Sequence, residues 1–282
     1  MGIIEIMQLL EWVNRISRAR HVCAQYLITK LPDPLYLILI NLKSTLLGSQ
    51  FRLVKSVDGR IKVREKHLTW FTHRKRLPLY LDGLDHRGDM IGRSYLLSEV
   101  NFQNGDVVVD CGANMGDLLL YFIGKNMSVV YIGVEPNPKD FLCLSLNVES
   151  FGDVLNFALW DRSLEMKFFV DSSSASSSLI EPPNYSHIIT VDARRLDSIP
   201  LPARIKLLKV EGEGAEPEIL MGASGVLPRI EFISVDAGPE RGINQVSTKN
   251  EVTTLLQNFG FELLLENPFH RKTLLFKNLT LI

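Results

Sequence analysis

Cysteine is scarce in this chain of 282 residues, with only Cys23, Cys111 and Cys143 present. An odd number of widely spaced cysteines fits neither a disulfide framework nor a zinc site. We therefore predict that Cys111 and Cys143 are small buried residues. No metal-ligand spacing is visible in the rest of the sequence, so no metal is expected.

The chain also lacks an excess of positive charge. It has 31 Lys and Arg against 32 Asp and Glu, a net charge of -1 and a pI of about 6.6. Nucleic-acid-binding domains are usually basic, so nucleic acid is not expected as a partner.

Targeting signals and long apolar runs are missing as well. The first residues show no basic segment and no small-residue cleavage site, which argues against a secretory signal. The most apolar early run, residues 35–40, is far shorter than a membrane span. The expected localisation is cytoplasmic.

Residues 1–100 are predicted to form an N-terminal extension of helices and a β-hairpin. Two helices are expected before residue 50, separated by two prolines. Arg15, Arg18 and Arg20 give the first helix a basic edge. That helix packs on its own core or, alternatively, makes peripheral contact with a membrane.

The rest of the extension contains a hairpin and two polar segments. The arms of the hairpin span 51–63, with Asp58-Gly59 as a two-residue turn. The basic cluster 74–76 and the polar segment 85–89 are expected to be solvated loops, or an anion or sugar contact.

From residue 101 onwards, strand-like and helix-like segments alternate, which predicts an α/β fold with a parallel sheet. A short turn at 267–268 joins the last two strands, so the final strand should be antiparallel. Asn137 and the Thr248–Glu251 capping box are predicted to start two of the helices. The predicted sheet strands are 107–110, 129–134, 155–159, 205–210, 230–235, 261–265 and 273–277.

The stretch VVVDCGANMGD, residues 107–117, is typical of a buried strand, a glycine turn and a helix start. Such a turn brings the backbone and the positive end of a helix close to a small ligand. Ligands of open parallel sheets bind at the C-terminal strand ends. The acids expected to gather at this edge are Asp110, Glu135, Glu211 and Asp236.

The spacing of this site favours one cofactor. Glu135 lies 23 residues after Gly112, close to the spacing of about 20 at which an acid binds ribose hydroxyls. The turn has Gly112 and Gly116 but lacks the third glycine of a dinucleotide site. Asp110 would repel a pyrophosphate but would suit a sulfonium, as in S-adenosylmethionine. A nicotinamide-dependent oxidoreductase and a non-catalytic scaffold are the alternatives.

Several motifs occur together in the order of a known family. They are VVVDCGANMGD, VEPNP at 134–138, Asn147, ALWD at 158–161, SSL at 177–179, RRLDSI at 194–199 and LLKVEGEGAEPEILMGA at 207–223. In these motifs the chain resembles the FkbM-type methyltransferase family, over roughly residues 101–282. One position departs from the pattern: the family reads K-x-D-V-E-G-A-E, whereas here Glu211 replaces the Asp and Gly212 the Val.

The resemblance implies a Rossmann-like class I methyltransferase fold, with a seven-stranded mostly parallel sheet and an antiparallel last strand, in a domain spanning 101–282. It also implies S-adenosylmethionine-dependent O-methylation of a hydroxyl on a sugar, glycan or polyketide-type molecule, as in polysaccharide biosynthesis. Residues 1–100 are expected to help shape the acceptor pocket. Cofactor-binding positions in the matching motifs are Asp110, Gly112, Ala113, Asn114, Gly116, Glu135, Pro136, Asn137, Ala158 and Leu159.

Removal of a hydroxyl proton requires a base near the acceptor. Glu211 and Glu213 are the first candidates because they follow the fourth strand, and Lys209 is expected to order the turn or to pair with one of them. Charge complementing a helix N-terminus is the alternative role for these acids. A divalent metal between them and Asp236 is a minor alternative, and His187 is a second candidate for the base.

Overall fold

The computed structural model describes residues 30–46, 48–56, 58–171, 176–267 and 272–281. They belong to two compact units, which are divided in the sequence between Gly83 and Leu84. The predicted first helix, with its basic edge, lies outside the described residues. The assignment of residues 1–100 to the acceptor pocket stays a prediction.

The described residues of the first unit form one α-helix and a small antiparallel sheet. Helix α1 (Asp33–Leu46) is followed by strands β1 (Arg52–Lys55), β2 (Ile61–Glu65) and β3 (Leu68–Thr72), which pair in that order. The side chain of Asn41 binds both backbone groups of Leu53, at 2.7 and 2.8 Å, so α1 covers the edge of β1.

The predicted hairpin therefore needs two corrections. A third strand, β3, extends it. The turn is longer than two residues: Lys55 pairs with Ile61, and the Ser56 amide donates to the Arg60 carbonyl oxygen at 2.8 Å, so three residues lie between the last hydrogen-bonded positions. The cluster 74–76 begins a 3-10 segment, Arg74–Tyr80.

The second unit opens with helix α2 (Leu84–Ser94), where a polar loop was predicted at 85–89. That prediction was wrong, because tertiary packing outweighs the low helix propensity of glycine. Gly88 is buried against the next helix, α3 (Asp117–Gly124), and a Cβ there would come within 2.6 Å of the Leu120 carbonyl oxygen. Arg87 and Asp117 form an ion pair at 2.6 Å between the same two helices.

In the described residues, the central sheet is formed by β4 (Val107–Cys111), β5 (Val130–Val134), β6 (Gly152–Leu155), β10 (Ile205–Val210), β11 (Ile230–Asp236), β14 (Phe261–Glu266) and β15 (Thr273–Asn278). Their order across the sheet is β14-β15-β11-β10-β4-β5-β6, and of these seven strands only β15 is antiparallel to its neighbours. Two short strands, β12 (Pro239–Arg241) and β13 (Val246–Ser247), pair outside this sheet. This architecture confirms the predicted Rossmann-like class I methyltransferase fold.

Helices form most of the connections between consecutive parallel strands, whereas a small second sheet lies between β6 and β10. The helices are α3 after β4, α4 (Pro138–Val148) after β5, α5 (Glu216–Gly222) after β10 and α6 (Lys249–Asn258) before β14. The inner strands are nearly continuous apolar runs because both of their faces are covered. Cys111 and Cys143 are buried, as predicted. None of the helices in the described part of the chain is long and apolar enough to cross a membrane.

The predicted strand 155–159 divides into two elements. Strand β6 ends at Leu155, and β7 (Ala158–Leu159) joins a second sheet with β8 (Leu164–Val170) and β9 (His187–Arg194). Between them, the side chain of Asn156 donates a 2.8 Å hydrogen bond to the Glu135 carbonyl oxygen. This bond ties the connection to the loop after β5, and the chain leaves the central sheet there.

Candidate active site

The glycine turn after β4 lies against the end of β10. Gly112 has φ +70°, and a Cβ on it would collide with the carbonyl oxygen of Glu211. A side chain at this position would therefore push apart two central strands where they end. The amides of Gly112 and Ala113 both donate to the carbonyl oxygen of Val134 at 3.0 Å, which joins the turn to β5.

Helix α4 holds the remainder of the turn through a side-chain hydrogen bond. Asn147, in the middle of the matched motifs, donates from its side-chain amide to the Met115 carbonyl oxygen at 2.8 Å. Asn114 and Gly116 adopt positive φ angles of 50° and 87°. Left-handed backbone at alternate positions, Gly112, Asn114 and Gly116, bends the loop and lets its backbone approach a ligand closely.

Glu135 is buried at the end of β5, and its carboxylate bridges two loops. One oxygen accepts from the Asn114 amide and the other from the Asn137 amide, each at 2.8 Å. Asn137 in turn caps α4, because its side chain accepts from the Lys139 amide at 3.1 Å; its predicted cap is confirmed. Pro136 lies between these residues, and its carbonyl accepts from Asn156 at 3.3 Å.

Burial raises the pKa of Glu135 from its ordinary value of 4.5 to about 8, with the nearby charge of Asp140 contributing. The amides of Asn137 and Asn114 oppose this shift but do not cancel it. A carboxyl with this pKa holds a proton at neutral pH until a ligand favours the ionised form.

Lys209 is the centre of a buried ion cluster on β10. Its ammonium lies 3.0 Å from both Asp110 Oδ1 and Glu211 Oε2, and it donates to the carbonyl oxygens of Cys111 and Gly112 at 3.2 and 2.8 Å. Burial alone would lower the pKa of Lys209, but the charges of Asp110 and Glu211 raise it above its ordinary value. The lysine is therefore a permanent cation that holds the glycine turn.

Asp110 lies deeper than the other acids of this edge. Its side chain is 1% exposed, and it contacts Lys209 through one oxygen and the Tyr131 hydroxyl through the other. Burial raises its pKa, while Lys209 and Tyr131 act against that shift. Asp110 is therefore linked to Glu211 and to the glycine turn through the lysine.

Glu216 organises the loop that carries Glu211 and Glu213, a role that the sequence analysis missed. One of its oxygens accepts from the amides of Gly212 and Gly214, both at 3.0 Å, and the other accepts from the Thr248 hydroxyl at 2.9 Å. The predicted capping box at Thr248 was therefore wrong: α6 has no side-chain cap, because this hydroxyl is bonded to Glu216 instead.

Two further residues fix the same loop. Glu213 has φ +50°, and its carbonyl oxygen accepts from the hydroxyl of Ser178 at 2.9 Å. Arg241 donates to the Gly214 carbonyl oxygen at 2.6 Å and pairs with Glu218. Two matched motifs contain residues that hold this loop. The motif SSL contains Ser178, and the motif EGAE ends in Glu216.

The structure thus brings together the turn after β4, the loop after β5 and the loop after β10. Ala158 and Leu159 differ from the other predicted cofactor-binding residues, because their side chains are buried in apolar clusters. His187, the second candidate base, is exposed at the start of β9. Across the described ranges, no group of three or more His, Cys, Asp or Glu side chains is arranged to hold a metal ion.

The residues of this edge fit a nucleoside ligand with a positively charged group. Within the described part of the chain, Asn114 Oδ1 is buried and has no hydrogen-bond partner, so it can accept from a ligand. The carboxylate of Glu135 has room in its lone pairs for hydroxyl donors. Sheet order, glycine turn and acidic edge together define a class I methyltransferase.

Comparisons with known proteins agree with this class. The model of the methyltransferase FkbM domain matches residues 110–263. "Methyltransferase 1" of Beauveria bassiana (strain ARSEF 2860) is 25% identical over 198 residues, which cover 59% of this chain and 76% of that protein.

Two complexes are among the solved structures to which this chain is similar. P. horikoshii TYW2 in complex with MeSAdo is 11% identical, with 89% of this chain and 94% of that chain covered and a TM-score of 0.41. M. capricolum TrmK in complex with S-adenosyl-homocysteine is 13% identical, with 69% and 66% covered and a TM-score of 0.38.

The family match extends over more than half of the chain. The chain belongs to the FkbM methyltransferase family and is an S-adenosylmethionine-dependent methyltransferase. The predicted family, enzyme class and cofactor are confirmed. The individual site residues and the acceptor stay predictions.

Proposed function

We propose that this methyltransferase acts on oxygen, at a hydroxyl of a sugar, glycan or polyketide-type small molecule. The observation that carries the proposal is the loop 211–214, which holds Glu211 and Glu213 beside the glycine turn. When bound, S-adenosylmethionine supplies an electrophilic methyl group and leaves as a neutral thioether. A hydroxyl acceptor must also lose its proton, and a carboxylate at this edge can receive it.

The cofactor is proposed to lie across the glycine turn. Glu135 accepts hydrogen bonds from the ribose hydroxyls, and Asn114 Oδ1 accepts from a further donor of the ligand. The small residues of the turn let the backbone approach. The remaining proposed cofactor positions are Asp110, Gly112, Ala113, Gly116, Pro136, Asn137, Ala158 and Leu159.

Asp110, Lys209 and Glu211 contribute electrostatics to this site. Two carboxyl groups surround one ammonium at 3.0 Å, so the ionised cluster carries one negative charge in excess. A sulfonium or ammonium is favoured next to such a cluster, whereas a pyrophosphate is not. Lys209 is a positioning residue in this proposal, because its ammonium is held by four oxygen atoms of the protein.

The proposed base is Glu211 or Glu213. Glu211 is held by Lys209, and its side chain remains 18% exposed at the strand end. Glu213 lies on strained left-handed backbone that Ser178 and the neighbouring loop stabilise. Backbone strain of this kind clusters at active sites, where the surrounding structure maintains it.

Replacing the base by its amide should remove turnover while the protein still binds the cofactor. We expect Glu211→Gln or Glu213→Gln to lower kcat by about 100-fold or more. The Kd for S-adenosylmethionine should stay unchanged in Glu213→Gln and rise in Glu211→Gln, because the latter also removes one negative charge from the cluster around Lys209. The measurement is transfer of a radiolabelled methyl group to the hydroxyl acceptor found in a screen of sugars and polyketide alcohols. Glu149→Gln, an exposed acid at the end of α4, is the matched control.

Two results would contradict the proposal. Full turnover in both amide variants would remove these residues from the role of base. Label that enters RNA in a parallel reaction, but none of the hydroxyl compounds, would show that the proposed acceptor class is wrong. The cofactor titration separates both results from a misfolded variant.

Cofactor affinity should depend on pH through Glu135. Its pKa of about 8 means that the free protein holds a proton there at neutral pH, whereas the ribose hydroxyls favour the ionised carboxylate. Affinity for 5′-methylthioadenosine, which has the ribose but no titrating amino group, should rise by about tenfold per pH unit below pH 8. Titration calorimetry between pH 6.5 and 9 measures this change.

Glu135→Gln should give a flat profile over the same range, and a flat profile of the unmodified protein would contradict the ribose contact. The stability of the fold should change with pH in the opposite direction to the affinity for the ligand. Between pH 4.5 and about 8 the native carboxyl keeps a proton that the unfolded chain has released, so this group lowers the free energy of unfolding as pH rises.

A further inference from the structure

Charge is divided unevenly between the two compact units. Residues 1–83 contain 14 Lys and Arg against 6 Asp and Glu, and residues 84–282 contain 17 against 26. The near-zero net charge of the chain therefore conceals a basic first unit and an acidic second unit. A basic unit attracts anionic partners, and the attraction weakens with salt.

The basic unit also exposes an apolar helix face. The five large side chains that form this apolar stripe on α1 are 42–78% exposed: Leu35, Ile38, Leu39, Leu42 and Leu46. Their spacing of three and four residues puts them on one side of the helix. Contiguous apolar surface of this kind marks a site of protein or membrane interaction.

The opposite side of α1 is fixed to the small sheet. Tyr36 and Leu37 are buried there, and Ser44 donates to the Phe51 carbonyl oxygen. Together with the bonds of Asn41 to β1, these contacts hold the helix in one rotation about its axis. The apolar stripe therefore lies on the side of α1 that faces away from the small sheet.

The charge of α1 that is not neutralised by an ion pair with the small sheet or its neighbouring segment is positive. Its single acid, Asp33, is neutralised by Lys55 at 2.9 Å and Arg74 at 3.1 Å. Lys43 is exposed and follows Leu39 by one helical turn, so it borders the apolar stripe. An apolar face bordered by cations is the pattern of helices that lie in the interface of an anionic bilayer.

We propose that the first unit docks on an anionic membrane surface through the apolar stripe, with α1 lying in the interfacial plane. The aliphatic side chains enter the boundary between headgroups and acyl chains, and the basic residues of the unit contact the headgroups. A single-stranded RNA would instead select exposed aromatic side chains for base stacking, and the exposed large apolar residues of α1 are all aliphatic.

The test is co-flotation of the full-length protein with vesicles. Phosphatidylcholine vesicles are compared with vesicles in which about a third of the lipid is phosphatidylglycerol, at low and high salt. We expect binding to the anionic vesicles only, reduced by salt. Ile38→Glu/Leu42→Glu should lower the bound fraction by about tenfold or more. Ile38→Ser/Leu42→Ser, which adds no charge, should lower it less.

The matched control is Leu142→Glu/Leu279→Glu, which changes two exposed leucines of the second unit and should leave vesicle binding unchanged. Cofactor binding and circular dichroism show that each variant is folded. Failure to bind either kind of vesicle would overturn the proposal. Vesicle binding that the stripe variants do not change would also overturn it. The same holds if the protein forms a dimer that these variants dissociate and does not bind vesicles. Equal loss in the control variant would also overturn it, as would binding to RNA in place of vesicles.

Discussion

Replacing Lys209 by methionine should lower the free energy of unfolding by about 3–5 kcal/mol, because removal of one partner leaves buried charge without compensation. Lys209 is 3% exposed, and Asp110 beside it is 1% exposed. Methionine fills a similar volume but leaves two carboxyl groups and two carbonyl oxygens without their common donor. Urea unfolding at pH 8 measures the change.

Two controls define the cause of this loss. Lys206→Met, on the same strand, breaks a 2.9 Å pair with Glu231 that remains partly exposed, and should cost about 1 kcal/mol or less. Burial already raises the pKa of Asp110, so in the Lys209 variant this carboxyl should keep its proton in the native state. Stability then falls as pH rises, and the loss should be smaller at pH 5 than at pH 8. An equal loss at both pH values would contradict this account.

Glu135→Ala should weaken binding of S-adenosylmethionine by about 100-fold or more, because two hydrogen bonds from ribose hydroxyls to a charged acceptor are lost. The substitution also leaves the amides of Asn114 and Asn137 without their acceptor. Glu135→Gln keeps the shape and one acceptor, and we expect it to lose about tenfold. Titration calorimetry gives both values.

Asp140→Asn is the matched control, since it removes one negative charge from the first turn of α4. Asp140 raises the pKa of Glu135 through its charge, so its loss should leave affinity unchanged or slightly improved at neutral pH. Affinity that is unchanged in Glu135→Ala would remove this residue from the cofactor site. Equal weakening in Asp140→Asn would indicate an effect of net charge alone.

Most of the second unit could be predicted from local patterns. The apolar runs of β4, β5, β10 and β11 are each followed by a turn and a helix. Their positions therefore follow from periodicity, and their parallel direction follows from the length of the connections. The antiparallel β15 follows from a turn too short for a crossover. The predictions were wrong where contacts between distant segments outweigh local sequence preference. An example is α2, whose glycines pack against α3.

The strand at 155–159 failed for the same kind of reason. Its sequence is apolar and continuous, but Asn156 binds the loop after β5, and the chain changes sheets there. Thr248 matched a capping pattern in the sequence, yet its hydroxyl bonds to Glu216, 32 residues earlier. A local pattern cannot show a partner at that separation.

The sequence by itself determined the strand and helix succession, the glycine turn, the acids at the strand ends and the family with its cofactor. These features depend on residues that are close in the chain. The tertiary structure alone decided that Lys209 lies between Asp110 and Glu211, that Glu216 holds the loop of the proposed base, and that α1 turns an apolar stripe outwards. Each of these depends on contacts between distant segments, whose burial and hydrogen bonding exist only once the sheet and its helices have assembled.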